Sequence, residues 1–323
     1  MVSELAFSTD DLAHTRFAVS PMWEVVTSFG LLASAAPHPV HRRWVEQVRP
    51  RVAAAGLDRG RLAELVPARG YVCDFLTPFP RVPAPTLEAE LAAIRATPAS
   101  RVRQDLDTLG GATPRRRALR ADPPAGLGRV TDEIEAYWEL ALAPYWAKIR
   151  AVLDAEVFHR ARQVAEHGTG HLFNDLHPSV RWDRHTLRVV RRCSTVSRET
   201  SGPGLLLVPS VFAKGVLTWS RAPEPPQLAY PARATGTLWE PRPVPHAEAI
   251  AAVLGRSRAM LLTELAAPAS TTDLAGRTGI SAAGVSQHLT ALRAAGLVSA
   301  HRAGRSVLYA RTAVAESLLT ASG

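Results

Sequence analysis

The C-terminal fold is decided by one stretch of sequence, TTDLAGRTGISAAGVSQHLTALRAAGLV, which spans residues 271–298. Thr272 is predicted to cap a short helix, and Gly279 supplies the positive φ that a tight turn often needs. Ser281 then caps a second helix. Apolar residues recur in that helix at i, i+4 and i+7, which places on one buried face Val285, Leu289 and Leu292.

The end of this segment predicts a hairpin. Gly296 is expected to end the second helix from the left-handed conformation. Two strand-like runs follow, Leu297-Val298 and Val307-Leu308-Tyr309, joined around Ala303-Gly304 with an arginine on each side of the tip. Two helices joined by a tight turn, then a hairpin, give a helix-turn-helix with a wing.

This arrangement indicates contact with double-stranded DNA. The second helix of such a motif enters the major groove and reads base edges with its N-terminal residues. Serine and glutamine can hydrogen-bond bases, and a basic hairpin tip can reach phosphate or the minor groove. The predicted DNA contacts are Thr272, Ser281, Gly284, Ser286, Gln287, His288, Thr290, Arg293, Arg302, Arg305 and Tyr309.

Residues 246–320 resemble an ArsR-type winged helix-turn-helix regulator. The resemblance rests on Val285-Ser286-Gln287-His288-Leu289, on Ala295-Gly296-Leu297-Val298, and on the run from Ala251 to Leu265 that precedes them. It implies a homodimer in which the helix around Ile250–Leu254 helps to form the interface, and repression that an effector relieves. The long N-terminal region resembles that of large bacterial regulators of this type, whose N-terminal domain has no defined function.

The chain departs from the metal-sensing members that this resemblance includes. Those members place cysteines in the first helix of the motif, or Asp, His and Glu ligands on the last helix. Here the first place holds residues 269–273, ASTTD, and the second holds residues 314–318, VAESL. Neither contains the cysteine or histidine that transition metals favour. We therefore expect no metal site and no cofactor.

Composition favours a cytoplasmic protein with a polyanionic partner. The net charge is +9, although arginine outnumbers lysine 36 to 2, which a coding bias could produce without any selection for DNA contact. Two cysteines, Cys73 and Cys193, are too few for a disulfide framework. The sequence contains no apolar run long enough for a membrane span, and its N-terminus lacks the pattern of a signal peptide.

We expect an α+β fold with two domains. Residues 1–240 would form a sensor or effector domain, helical over 1–170 with a small antiparallel β region over 178–232, and residues 246–323 the winged helix. The strongest helical periodicity runs from Asp132 to about Glu166, with a kink expected at Pro144. Strands are predicted at Val180–Trp182, Leu187–Val190, Leu205–Val208 and Val216–Trp219.

Two stretches are predicted to lack regular structure. Residues 110–128 are rich in glycine, proline and arginine and indicate a linker or a surface loop, with Arg115-Arg116-Arg117 as a solvated run. Residues 223–245, rich in proline, indicate a hinge before the winged helix.

Catalysis is not predicted. The polar group His167, His171, Asp175 and His177 is interrupted by glycines and lacks the glutamate of a zinc protease helix. Ser210 lacks the flanking glycines of a nucleophile elbow. These residues are more simply explained as structural or surface groups.

The N-terminal domain is expected to bind a small molecule or a partner. All the tryptophans and phenylalanines precede residue 240, and a proline kink beside aromatic residues could open an apolar pocket. The predicted ligand residues are Trp138, Tyr145 and Trp146. The chain is thus interpreted as an effector-controlled repressor. The alternatives are an enzyme domain fused to a DNA-binding module, and an architectural DNA-binding protein without a ligand.

Overall fold

A computed structural model describes residues 2–6, 9–34, 38–68, 70–183, 186–190, 197–199, 204–219, 224–239, 247–303 and 306–320. The chain forms two compact units, and neither is continuous in sequence. The first unit consists of Met1–Ala36, Asp58–Ile134 and Val152–Thr235; the second consists of Pro37–Leu57, Glu135–Ala151 and Gly236–Gly323. This division differs from the predicted one, because two segments of the predicted N-terminal domain, Pro37–Leu57 and Glu135–Ala151, group with the C-terminal region.

Helices dominate the described residues. They are α1 Thr9–Ala13, α2 Pro21–Ala33, α3 Arg42–Ala54, α4 Arg61–Leu65, α5 Leu87–Arg95, α6 Ala99–Leu109, α7 Pro114–Ala121, α8 Pro123–Ala141, α9 Trp146–His167, α10 Thr169–Leu176, α11 Ala247–Leu254, α12 Arg256–Glu264, α13 Thr271–Thr278, α14 Ala282–Ala294 and α15 Ala313–Thr320. The strands are β1 Val2–Ala6, β2 Arg16–Phe17, β3 Val180–Asp183, β4 Thr186–Val190, β5 Ser197–Glu199, β6 Leu206–Ser210, β7 Leu217–Trp219, β8 Gln227–Pro231, β9 Val298–Ala303 and β10 Ser306–Arg311.

The long helix predicted over residues 132–166 is broken at its proline. Helix α8 ends at Ala141, a 3-10 turn covers Ala143–Tyr145, and α9 starts at Trp146. Pro144 has no N–H to donate to the carbonyl one turn earlier, so the α-helical ladder stops there. The predicted kink is confirmed as a complete break between two helices.

The predicted linker over residues 110–128 is wrong, since it holds α7 and the start of α8. Thr113 caps α7 by accepting a hydrogen bond from the N–H of Arg116, and Pro114 occupies the first helical position. Pro123 opens α8 in the same way. Proline is favoured at the first position of a helix, where its missing N–H would have no helical partner in any case. Here the prolines mark helix starts rather than a loop.

Two four-stranded sheets belong to the first unit. Their strand orders are β3-β4-β1-β5 and β2-β6-β8-β7. All four predicted strands are present, but they are divided between the sheets, and pairs β1–β5, β2–β6 and β6–β8 are parallel. Strand β8 lies inside the predicted hinge over residues 223–245. Within that stretch, residue 223 and residues 240–245 lie outside the described residues.

Helix α2 packs against the second of these sheets. Its Trp23 lies on Leu206, Val208 and Ala229, and its indole N–H donates to the side-chain oxygen of Gln227 at 3.1 Å. Two fully buried carboxylic acids lie in this region. Glu90 accepts from the hydroxyl of Ser20 at 2.6 Å, and burial raises the pKa of Glu90 to about 7. Burial likewise raises the pKa of Glu24, which lies on α2, to about 8.

The second unit contains the winged helix, built from α11 to α15 and the β9–β10 hairpin. Its buried core joins side chains from α12 to α15, from the segments between them and from the wing: Leu261, Leu262, Leu265, Ala269, Leu274, Val285, Leu289, Leu292, Leu297, Val298, Ala315 and Leu319. Ile250 and Leu254 of α11 are partly buried against this core. The α+β fold with a C-terminal winged helix is therefore confirmed.

Three aromatic residues from distant segments meet in the same unit. The rings of Trp44 and Trp239 stack with centroids 6.2 Å apart, and Tyr145 meets Trp239 edge-on at 5.5 Å. The indole of Trp44 donates to the carbonyl of Ala141 at 3.0 Å, and the indole of Trp239 donates to His41 Nδ1 at 2.9 Å. These contacts explain why segments of the predicted N-terminal domain group with the C-terminal region.

Candidate nucleic-acid interface

The first helix of the motif, α13, begins two residues earlier than the sequence suggested. The side chain of Ser270 accepts from the N–H of Asp273 at 3.2 Å, and the Asp273 carboxylate accepts from the N–H of Ser270 at 3.0 Å. This is a capping box, in which two otherwise unpaired donors are satisfied together. Thr272, predicted as the cap, is instead an exposed residue of the first turn. The serine and aspartate spacing was the signal that sequence reasoning missed.

The turn and the second helix follow the prediction. Gly279 ends α13 in the left-handed conformation with φ of 71°. Ser281 caps α14, accepting from the N–H of Gly284 at 3.2 Å. After α14, the N–H of Gly296 donates to the carbonyl of Arg293, and the N–H of Leu297 donates to the carbonyl of Leu292. This pair of bonds is a Schellman motif, which fixes where α14 stops and the wing begins.

Helix α14 has one buried and one exposed face. Val285, Leu289 and Leu292 are almost completely buried, as predicted. The polar side chains on the other face are exposed, and they are Ser286, Gln287, Thr290 and Arg293. The hydroxyl of Thr290 donates to the carbonyl of Ser286 at 2.9 Å, which orients it along the helix. This exposed face presents donors, acceptors and one cation over two helical turns.

Two predicted contact residues of α14 are partly covered. Gly284 and His288 are half-buried. A Cβ atom at Gly284 would lie 3.0 Å from the Ile280 side chain and 3.2 Å from the Ser281 hydroxyl. Glycine therefore lets the turn before α14 approach the helix closely, which is a packing role.

The three predicted contact residues of the wing differ in their exposure. Arg302 is exposed on β9, and Arg305 lies outside the described residues. Tyr309 is half-buried against the winged-helix core, and its backbone exchanges hydrogen bonds with that of Ala269 at 2.9 and 3.1 Å. Tyr309 thus ties the wing to the segment before α13, while Arg302 is available to a ligand.

Arg311 anchors the base of the wing, and sequence reasoning did not single it out. It is buried; its Nε donates to the carbonyl of Leu262 at 2.6 Å and another guanidinium nitrogen donates to that of Thr263 at 2.6 Å. The carboxylate of Glu316 lies 3.5 Å away. These bonds supply donors to carbonyls in the last turn of α12, where the helical ladder ends; the Thr263 carbonyl also accepts from the N–H of Ala266.

Of the three predicted ligand residues, only Tyr145 lines the aromatic cavity of the second unit. Trp138 and Trp146 pack against each other with ring centroids 4.9 Å apart. Tyr145 lines a cavity of about 100 Å³ together with Trp44 and Trp239, and its hydroxyl lies 2.8 Å from the Gln47 side-chain oxygen. Ala266 and Ala267, in the segment leading to α13, lie on another wall of this cavity.

The polar group His167, His171, Asp175 and His177 is only partly brought together: the rings of His167 and His171 lie 4.8 Å apart, while Asp175 and His177 bond to other residues. Asp175 accepts from Arg160 at 2.7 Å and from Gln163 at 2.9 Å, while the His177 ring is 2.8 Å from the Ser179 hydroxyl. Hydrogen bonds from Gln163 and Arg160 hold the pKa of Asp175 below its usual value. Within the described residues, no three histidine, cysteine, aspartate or glutamate side chains are grouped to hold a metal ion.

Together, the caps, the exposed face of α14 and the paired strands of the wing define the class: a winged helix-turn-helix of the kind found in DNA-binding regulators. Residues 254–299 match a family model described as a helix-turn-helix domain. No curated protein and no solved structure matches the chain. In the described part of the chain, no helix is both long and apolar enough to cross a membrane.

Proposed function

We propose that the protein is an ArsR-type transcriptional repressor that binds an inverted-repeat operator as a homodimer and is controlled by a small-molecule effector. The observation that carries the proposal is the exposed polar face of α14, held in place by caps at both ends. Because its partner would be promoter DNA, the protein would act in the cytoplasm.

The chemistry of this face suits base reading. Gln287 is exposed in the second turn of α14, and a glutamine amide can bond adenine through both its oxygen and its nitrogen. Arg293 at the other end of the face and Arg302 on the wing are cations suited to phosphate. Glutamine would thus supply sequence preference, and the arginines would supply affinity that falls with salt.

Exposed apolar side chains support the dimer. On α11, Ile250 and Leu254 pack against the core while Val253 is 84% exposed. On α15, Ala315 and Leu319 are buried while the opposite face leaves exposed Val314 and Leu318. Burying such side chains is favourable by about 25 cal/mol per Å² of apolar area. A second copy of the chain would bury these side chains in a dimer interface formed through α11, the helix that the family resemblance assigns to the interface.

Effector control remains a prediction. Among the predicted ligand residues, Tyr145 supports it most, because Tyr145 lines a cavity. Its cavity borders the segment that leads into α13, so a ligand there would contact the approach to the DNA-binding helices. To regulate, the ligand must bind the DNA-competent and incompetent states unequally; a tenfold change in DNA affinity requires about 1.4 kcal/mol of coupling.

Footprinting on the protein's own promoter region tests the DNA proposal. We expect protection of two half-sites about one helical turn apart. Gln287→Ala should weaken operator binding by about 1–3 kcal/mol and relax preference at one base. Arg302→Ala should weaken all sequences alike and lower the salt slope by about one.

Gln104→Ala is the matched control, because Gln104 is exposed on α6 in the first unit. It should leave operator affinity unchanged. Uniform coverage without sequence preference, or equal effects of the two glutamine variants, would contradict the operator proposal and favour an architectural protein.

A further inference from the structure

A second cavity lies wholly in the first unit, among α4, α7 and α8. Its volume is about 310 Å³, three times that of the aromatic cavity at Tyr145. Apolar side chains supply part of its wall, with Leu65 from α4, Leu119 from α7 and Val130 from α8. The volume falls at the lower end of the range typical of small-molecule sites, about 300–1,000 Å³.

Helices α7 and α8 meet very closely beside this cavity. A Cβ atom added to Gly126 would lie 2.5 Å from Leu119 Cδ1 and 3.0 Å from the Leu119 backbone. Only glycine permits this approach, so the walls are held at a fixed spacing by backbone contact. The cavity is therefore part of the packing of these helices and does not depend on side-chain rotation alone.

Four arginines and one glutamate line the same cavity, and the charges are not balanced. Arg61 pairs with Glu133 at 2.8 Å, and Arg115 pairs with Glu64 at 3.3 Å. Neither Arg116 nor Arg129 forms an ion pair with any carboxylate of the described residues. The wall thus carries two guanidinium groups that form no ion pair within the described residues.

The unbalanced arginines also have hydrogen-bonding capacity to spare. The guanidinium of Arg116 donates to the carbonyls of Gly110 and Glu64, but its buried Nε finds no acceptor within the described residues. Arg129 is exposed, and its side chain makes no hydrogen bond within the described residues. A buried donor without a partner is unfavourable, and an anionic ligand that accepts from it would remove that cost.

We propose that this cavity binds a small organic carboxylate whose apolar body fits a volume of about 310 Å³. The carboxylate lies against Arg129 and Arg116, since a guanidinium fork matches carboxylate geometry. The apolar body packs on Leu65, Leu119 and Val130. The proposal is independent of operator binding, because it concerns a site in the first unit and is tested without DNA.

Calorimetric titration of the full chain with 1-naphthoate tests the site. We expect one molecule bound per chain with a Kd of about 1 mM or tighter. The neutral analogue 1-naphthamide should bind at least about tenfold more weakly, because it lacks the charge that the arginines recognise. Affinity for 1-naphthoate should fall as salt is added, since the charge of Arg129 is exposed to solvent.

Three variants locate the bound probe. Arg129→Gln should weaken 1-naphthoate binding by about tenfold. Ala118→Trp places a large side chain on the cavity wall and should abolish binding. Arg117→Gln is the matched control, because Arg117 lies on α7 but outside the cavity lining, where it donates to the Ala112 carbonyl.

Two results would overturn the proposal. One is equal affinity for 1-naphthoate and 1-naphthamide. The other is binding that Arg129→Gln and Ala118→Trp leave unchanged, above all if Tyr145→Ala abolishes it and so assigns the probe to the aromatic cavity. Circular dichroism of each variant checks that the chain remains folded.

Discussion

The buried acid Glu24 should make the protein less stable as pH rises, and Glu24→Gln should remove that effect. Glu24 is completely buried on α2. One carboxyl oxygen accepts from the N–H of Val211 at 3.1 Å, and the other has no hydrogen-bond partner among the described residues. Burial disfavours the charged form, and it raises the pKa of Glu24 from 4.5 to about 8.

The sign and size follow from this difference in pKa. Below pH 4.5 the acid is protonated in both the folded and the unfolded chain, so pH has no effect through it. Between 4.5 and about 8 only the folded chain holds the proton, so the free energy of unfolding falls as pH rises. Each pH unit in that window costs up to about 1.4 kcal/mol, which gives a total of about 3–5 kcal/mol. Glu90, with a pKa raised by burial to about 7, adds a loss in the same direction.

Urea denaturation followed by circular dichroism at pH 5, 7 and 8.5 measures the effect. Gln is close in shape to a protonated Glu, so Glu24→Gln and the wild type should differ by about 1 kcal/mol or less at pH 5. At pH 8.5 the variant should be the more stable by about 3–5 kcal/mol. Glu88→Gln, at an exposed position of α5, is the control and should show no such divergence.

A constant difference between Glu24→Gln and the wild type at all three pH values would refute the reasoning. It would mean that Glu24 does not retain its proton in the folded chain.

Two further predictions concern the DNA-binding unit. Ser281→Ala removes the cap of α14 and should lower the free energy of unfolding by about 1 kcal/mol, while the exposed Ser286→Ala should be within about 0.5 kcal/mol of the wild type; equal urea midpoints for the two variants would contradict the assigned cap. Zinc, cadmium, copper and arsenite at micromolar levels should leave operator affinity unchanged in a mobility-shift assay, because the usual sensor positions hold no cysteine or histidine; release of DNA that His171→Ala or His177→Ala prevents would show a metal site instead.

The winged helix could be predicted in detail because its signals are local. Gly279, Ser281 and Gly296 act through backbone angles and hydrogen bonds that span three to five residues. The buried face of α14 follows from the helical period alone. The wrong prediction of Thr272 as the cap of α13 also concerns local signals. Both Ser270 and Thr272 are residue types that cap helices, and Ser270 is the cap because Asp273, three residues later, completes a capping box with it.

The sequence alone therefore determined the class of the C-terminal region, the exposed residues of α14 and the break at Pro144. Tertiary structure alone decided which strands share a sheet, since β6 pairs with β8 across some twenty residues and β2 joins from the far end of the chain. It also brought Trp44, Tyr145 and Trp239 together, and it placed Arg116 and Arg129 beside a cavity with no ion pair among the described residues. Such contacts depend on packing between segments that are distant in sequence, and no local period or cap encodes the partner of a strand or of a charge.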